Sequence, residues 1–219
     1  NEDWQTRYDP KQIQRFAEVA GQTLLAQQTG ERQAYERGQR PAGPANDPAL
    51  LVIGMDGGRI QSRAKREPDG SRWREDKVLT ITSYLPGEAE TEKPPTPLVS
   101  TYLATLHNSK TFGTLARLEA ERRGIRQAQQ VLVIGDGAGW IDTLHEQHFH
   151  RHGRIVDWYH ASEHLHDVAK AAHPDDAEQQ QEKAQAMTEA LWHGQVRSVA
   201  DAIDILSQRA GPPRENDPV

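Results

Sequence analysis

Two short apolar runs of almost the same build constrain this chain more than any other feature. One is LLVIGMDGGRI, residues 50–60, and the other is VLVIGDGAGWI, residues 131–141. Each is too short for a helix core and closes on glycine and aspartate, so each reads as a strand covered on both faces. A strand buried on both faces needs a layer above it and a layer below it, which calls for an α/β sheet. The runs are widely separated and differently flanked, which excludes a tandem repeat. Each run delivers one carboxylate into a glycine-softened turn: Asp56 from the first, Asp136 from the second.

The intervening segments fit such a sheet. Residues 10–38 are predicted helical, with Asp9 as N-cap, Pro10 in the first turn, and Ile13, Phe16, Ala17, Ala20, Leu24 and Leu25 recurring at helical spacing. This helix reads as largely solvated. A Pro- and Gly-rich linker, residues 40–49, follows. Residues 50–85 read as an antiparallel meander, with strands at 50–55 and 73–85 and a PDG turn at 68–70. A strand is expected at 98–106 and an amphipathic helix at 109–125. Then come a strand at 131–135, a helix or helical turn at 140–149, and a strand at 154–160. A helix over 161–173 is capped by Ser162 or the turn before it, and the helical pattern runs on through 174–208. Meander followed by alternating helix and strand predicts an α/β fold with a ribonuclease-H-like mixed sheet and flanking helices. The expected division is an N-terminal helix and linker (1–49), a catalytic core (50–173), a helical insertion region (174–210) and a disordered tail (211–219).

Carboxylates that follow buried strands stand at the sheet's carboxyl edge, where open α/β sheets place their chemistry. If the two strands are neighbours, Asp56 and Asp136 face each other and repel. A divalent cation resolves that conflict, and oxygen donors favour Mg²⁺ or Mn²⁺. Such ions can activate a nucleophile and stabilise the leaving oxygen in a phosphodiester displacement. The glycines would admit a bulky substrate and tolerate unusual dihedrals. The competing reading is plain: Asp-Gly is a common turn dipeptide. Downstream of Asp56, Arg59, Arg63 and Lys65 are candidates for phosphate contacts, although most of that basic stretch reads as a solvated hairpin. A third cluster, DWYHASEHLH at 157–166, crowds Asp157, His160 and Glu163 with His164 and His166 at a strand-to-helix junction. It either lines a phosphate-handling cleft or caps the helix, and the HExxH zinc pattern is absent. The histidines of HEQHFHRH, 145–152, read as a solvated helix end.

Composition excludes several classes. There is no cysteine among the 219 residues, so disulfides, zinc knuckles and thiol catalysis are out, in accord with a reducing cytoplasm. No run of eighteen apolar residues exists, so no helix is expected to span a membrane. A formal net charge of −6 argues against a general nucleic-acid-binding surface, but not against a core that gathers carboxylates around metal.

Taken together, MDGGRIQSR (55–63), WREDK (73–77), IGDGAGWI (134–141), IVDWYHASEHL (155–165) and LWHGQV (191–196) resemble the catalytic core of bacterial DDE insertion-sequence transposases, in particular the ISKra type. The resemblance covers roughly residues 50–200. It implies a ribonuclease-H-like fold and strand cleavage and strand transfer with Mg²⁺ or Mn²⁺. It implies that Asp56 is the first acidic residue, on the first strand, and Asp136 the second, at the end of the fourth. Asp157 and His160 match a D-x-x-H that flanks the active site in related groups. The implied partners are DNA, as transposon ends and target, and further copies of the chain in a homodimer or multimer of the intact form. The implied location is the bacterial cytoplasm, at the nucleoid. Such cores use a third carboxylate, usually Glu, on a helix beyond the insertion. Glu189 and Glu215 do not fit that pattern, and the chain ends at Val219, so the core is expected to be incomplete. Two alternatives stand beside this reading. One is a catalytically inactive remnant that binds DNA or protein. The other is a metal-dependent nuclease completed by Asp157 or Glu163.

Overall fold

A computed structural model describes residues 9–62, 70–87 and 93–210. Arg63, Lys65 and the expected tail at 211–219 lie outside the described residues. The chain divides into two compact units, one of Asn1–Val133 with Asp142–Arg154, the other of Ile134–Ile141 with Ile155–Val219.

In the first unit, α1 spans Pro10–Glu36. Asp9 caps it by accepting from the Lys11 amide at 2.9 Å, as the sequence predicts. No residue of α1 is buried. Ile13, Phe16 and Val19 stand exposed, and the helix is tied down near its other end. There Glu31 pairs with Arg122 at 3.0 Å, and the Tyr35 hydroxyl donates to Glu121 at 3.1 Å.

Strands β1 (Leu50–Gln61) and β2 (Trp73–Leu85) form one long antiparallel hairpin, from Leu50 opposite Tyr84 to Gln61 opposite Trp73. β3 (Thr96–Thr105) pairs with β2, with a register shift at Ser83/Tyr84. The predicted end of the first strand at residue 55 is therefore corrected. Asp56-Gly57-Gly58 is not a turn but lies inside β1, with Asp56 opposite Val78 and Gly58 opposite Asp76. The reason is a cross-strand partner that the local sequence does not reveal. A Cβ on Gly58 would sit 2.9 Å from Asp76 Oδ1, so glycine there makes room for a neighbouring side chain. Alternation sends Leu51, Ile53 and Met55 of β1, with Leu79 and Ile81 of β2, to one buried face. Burial of each such side chain is worth about 1.5–3 kcal/mol.

Helix α2 (Ser109–Arg122) packs against β2 and buries Phe112, Leu115 and Ala116. Asn108 caps it through the Thr111 amide at 3.0 Å. It stops short of the predicted residue 125 because Gly124 turns left-handed, with φ +86°. The Gly124 amide then donates to the Glu121 carbonyl at 3.1 Å and the Ile125 amide to the Ala120 carbonyl at 2.9 Å, which closes the helix end.

β4 spans Gln130–Gly135. The Gln129 and Gln130 amides donate to the Pro48 and Ala49 carbonyls, each at 3.1 Å, so β4 sets out from the same end as β1. α3 (Gly139–Leu144) runs into a single π-helical turn, His145–Phe149, and β5 is Gly153–Val156. The strand order is β3-β2-β1-β4-β5. This is the mixed five-stranded α/β sheet with flanking helices expected of a ribonuclease-H-like fold.

In the second unit, α4 (Trp158–Ala172), α5 (Ala177–Trp192) and α6 (Val196–Ala210) pack on one another around Leu165, Ala169, Ala184, Met187, Val199 and Leu206. α4 begins three residues before the predicted 161, and its cap is Asp157, not Ser162. The expected strand at 154–160 is correspondingly short and ends at Val156. The helical pattern over 174–208 breaks at Gly194, φ +71°. Among the described residues no helix is long and apolar enough to cross a membrane.

Candidate metal centre

Asp56 stands on β1, on the face opposite Leu51, Ile53 and Met55, and is exposed. Its Oδ1 accepts from the Gly57 amide at 2.7 Å. Asp76 shares this face of the hairpin, two rungs along on β2, and its Oδ1 is buried with no hydrogen-bond partner. The sequence carried no hint of Asp76, because only the β1–β2 register brings it to Asp56's side. Arg59 lies three positions beyond Asp56 on the same regular strand. It therefore belongs to the other face, and the structure does not group it with the carboxylates.

Asp136 follows directly on β4. Its Oδ1 accepts from the Ala138 amide at 3.0 Å, which folds the chain back into α3. The expected unusual dihedrals are absent here: neither Gly137 nor Gly139 has positive φ. A Cβ at either would meet nothing within 4 Å, so the space beside them is open.

At the head of α4, Asp157 Oδ1 accepts from the Tyr159 amide at 2.9 Å, the His160 amide at 3.3 Å and the His160 ring at Nδ1, 3.2 Å. Burial pushes the Asp157 carboxyl up, but the hydrogen bonds from His160 and Tyr159 outweigh it and hold the group below the usual carboxylate range. An ionised carboxylate only accepts, so the His160 proton sits on Nδ1 and Nε2 is the nitrogen able to bind a cation. This carboxylate–histidine arrangement is how proteins orient an imidazole for metal. Glu163 is exposed on the next turn of α4.

Within the second unit, Asp136 and His160 each offer one ligand atom, and these atoms lie within 4.8 Å of each other; Asp56 belongs to the first unit. A carboxylate oxygen and an imidazole nitrogen side by side suit a divalent cation, and the imidazole favours Mn²⁺ over Mg²⁺. In the sequence, His160 stands out less than the two aspartates. The signal that could have raised it was the i, i+3 spacing from Asp157, which puts an N-cap carboxylate beside the ring.

No protein-family model matches the chain, and no curated protein matches it. Among solved structures, one similar chain belongs to the Drosophila P element transposase strand transfer complex, at 10% identity and a TM-score of 0.28, covering 75% of this chain. The match takes in 50% of that transposase chain, so this chain spans about half its length.

Proposed function

We propose that the chain is a DDE-type transposase core, of the bacterial insertion-sequence ISKra type, for metal-dependent cleavage and joining of DNA strands. The observation that carries this reading is the approach of Asp136 and His160 to within 4.8 Å in the second unit, with the Asp157 carboxylate on the His160 ring. Asp56 and Asp136 would hold Mg²⁺ or Mn²⁺ with His160 as the third donor. When bound, the cation supplies charge that stabilises the attacking and leaving oxygens of a phosphodiester. The protein's part is positioning: β1 fixes Asp56, the Asp136–Ala138 bond fixes the second carboxylate, and Asp157 fixes the imidazole. A further carboxylate from a helix beyond the insertion belongs to this reading, as do DNA ends and target as substrate, an oligomeric intact form, and action at the nucleoid.

The Asp157–His160 pair favours one second reading. A metal-dependent nuclease would need no strand transfer, and the pair would complete its site from within this chain. Calorimetric titration with Mn²⁺ tests the site that both readings share. Asp56→Asn and Asp136→Asn should each weaken binding roughly tenfold or more. A folded protein that binds no Mn²⁺ would rule out both. Joining of a labelled 3′-hydroxyl end to target DNA, against hydrolysis alone, separates transposase from nuclease.

A further inference from the structure

The histidine-rich stretch 145–152 is not the solvated helix end that its composition suggests. Phe149 is buried, and the π-helical turn and the residues after it form one wall of a cleft of about 710 Å³ within the first unit. Arg40, Arg117, Arg126 and Arg151 line this cleft, with Glu121 as its one carboxylate.

The arrangement around Glu121 explains how three of the four guanidinium groups come to share a cleft. Its Oε1 accepts from Arg126 at 3.0 Å, from Arg117 at 3.2 Å and from Arg40 at 3.3 Å, besides the Tyr35 hydroxyl. Arg40 also lies over the Tyr35 ring at 4.7 Å, and Arg117 donates to the His148 carbonyl at 2.8 Å. One buried carboxylate thus fixes three cations in place without neutralising them. A guanidinium carries five N–H donors and spends few of them on Glu121. The side chains of Arg40 and Arg126 remain about half exposed, at 52% and 54%. The result is an excess of fixed positive charge, open to solvent, on a chain whose net charge is −6. Planar guanidinium groups held in fixed positions are suited to phosphate oxygens.

We infer that this cleft binds the backbone phosphates of a nucleic acid. The inference rests on the DNA reading above and adds a surface to it, apart from the aspartates. Its chemistry is sequence-independent: charge focused in a cleft, where Arg40 already covers the Tyr35 ring.

The test uses the full chain and fluorescence anisotropy with labelled duplexes of two unrelated sequences, with Arg126→Gln and Arg151→Gln as variants and Lys170→Gln on α4 as control. Arg151→Gln leaves the Glu121 cluster intact, so it guards against misfolding of the other variant. Each cleft variant should weaken binding to both duplexes alike and lower the slope of log K against log salt by about one. The control should match the parent. Binding that survives both cleft variants overturns the cleft and spares the DNA reading, whereas no duplex binding by the parent chain overturns both. If inorganic pyrophosphate binds in an Arg151-dependent way and duplex does not, the occupant is a small phosphate and the nucleic-acid assignment fails.

Discussion

The carboxylate of Asp157 serves two partners at once: the backbone amides that open α4, and the His160 ring. Asparagine separates these roles, because it caps helices about as well as aspartate but gives up the charge that fixes the imidazole. Asp157→Asn should therefore keep helix content by circular dichroism while Mn²⁺ affinity falls about 10–100-fold. Equal affinity would show that Asp157 is only a cap. A second expectation concerns His148 and His152. Burial, then the charge of Arg117, holds both below the ordinary histidine value of 6.5. A folded-state value below the unfolded one means that the unfolded chain binds more protons in the interval between them. Stability should then fall as pH drops through that interval. Urea midpoints at about pH 7.5 and pH 5.5 read the loss, and His148→Gln should shrink it. At this scale the sequence was legible where a residue's role is local. Asp9 as a cap and Asp136 at a strand end could be read directly. Asp76 could not, since its place beside Gly58 depends on a partner strand, nor could the pairing of Arg40 and Tyr35 with Glu121, more than eighty residues away.

Among the elements, the hairpin shows why a strong local signal can mislead. Asp-Gly-Gly has turn chemistry, yet β2 supplies a rung for every residue from Asp56 to Gln61, and the ladder prevails over the local preference. The apolar runs themselves were readable because one face is buried and the other half-covered, which leaves an unbroken greasy stretch. Helix ends were harder, since they depend on caps and not on periodicity: α4 starts at Asp157 and α2 stops at Gly124. Gly124 has a further constraint. A Cβ there would sit 2.7 Å from Pro44 Cγ and 3.1 Å from Pro48 Cδ, so the linker prolines dock over the end of α2. Gly124→Ala should cost about 1–2 kcal/mol for the left-handed dihedral alone, with more from that contact. Chemical denaturation measures it, and a change within a few tenths would mean that the linker yields freely. In the second unit, Trp158 meets Trp192 edge to face, centroids 5.1 Å apart. That joins two motifs, DWYH and LWHG, which the sequence displays separately. A double-mutant cycle on this pair should return about 0.5–1.5 kcal/mol of coupling.

For the molecule as a whole, cation binding and folding are linked. An ion that binds the folded chain and not the unfolded one adds about 2.7 kcal/mol at a hundred times its dissociation constant. Thermal melts should therefore shift upward with Mn²⁺, and the shift should vanish in Asp136→Asn. The fold class was legible at this scale because the order of strands and helices admits few sheets. The cationic cleft was not, because its arginines come from α2 and the turn after it, the segment before β1 and the turn after the π-helical turn, and only packing assembles them. Helix α1 is fixed near Glu31 and Tyr35, while its opening turns bury nothing. Amide protons along it should exchange with solvent on a gradient, fastest near Pro10 and slowest near Tyr35. A protease that cuts after aromatic residues should find Phe16 before any site in the sheet.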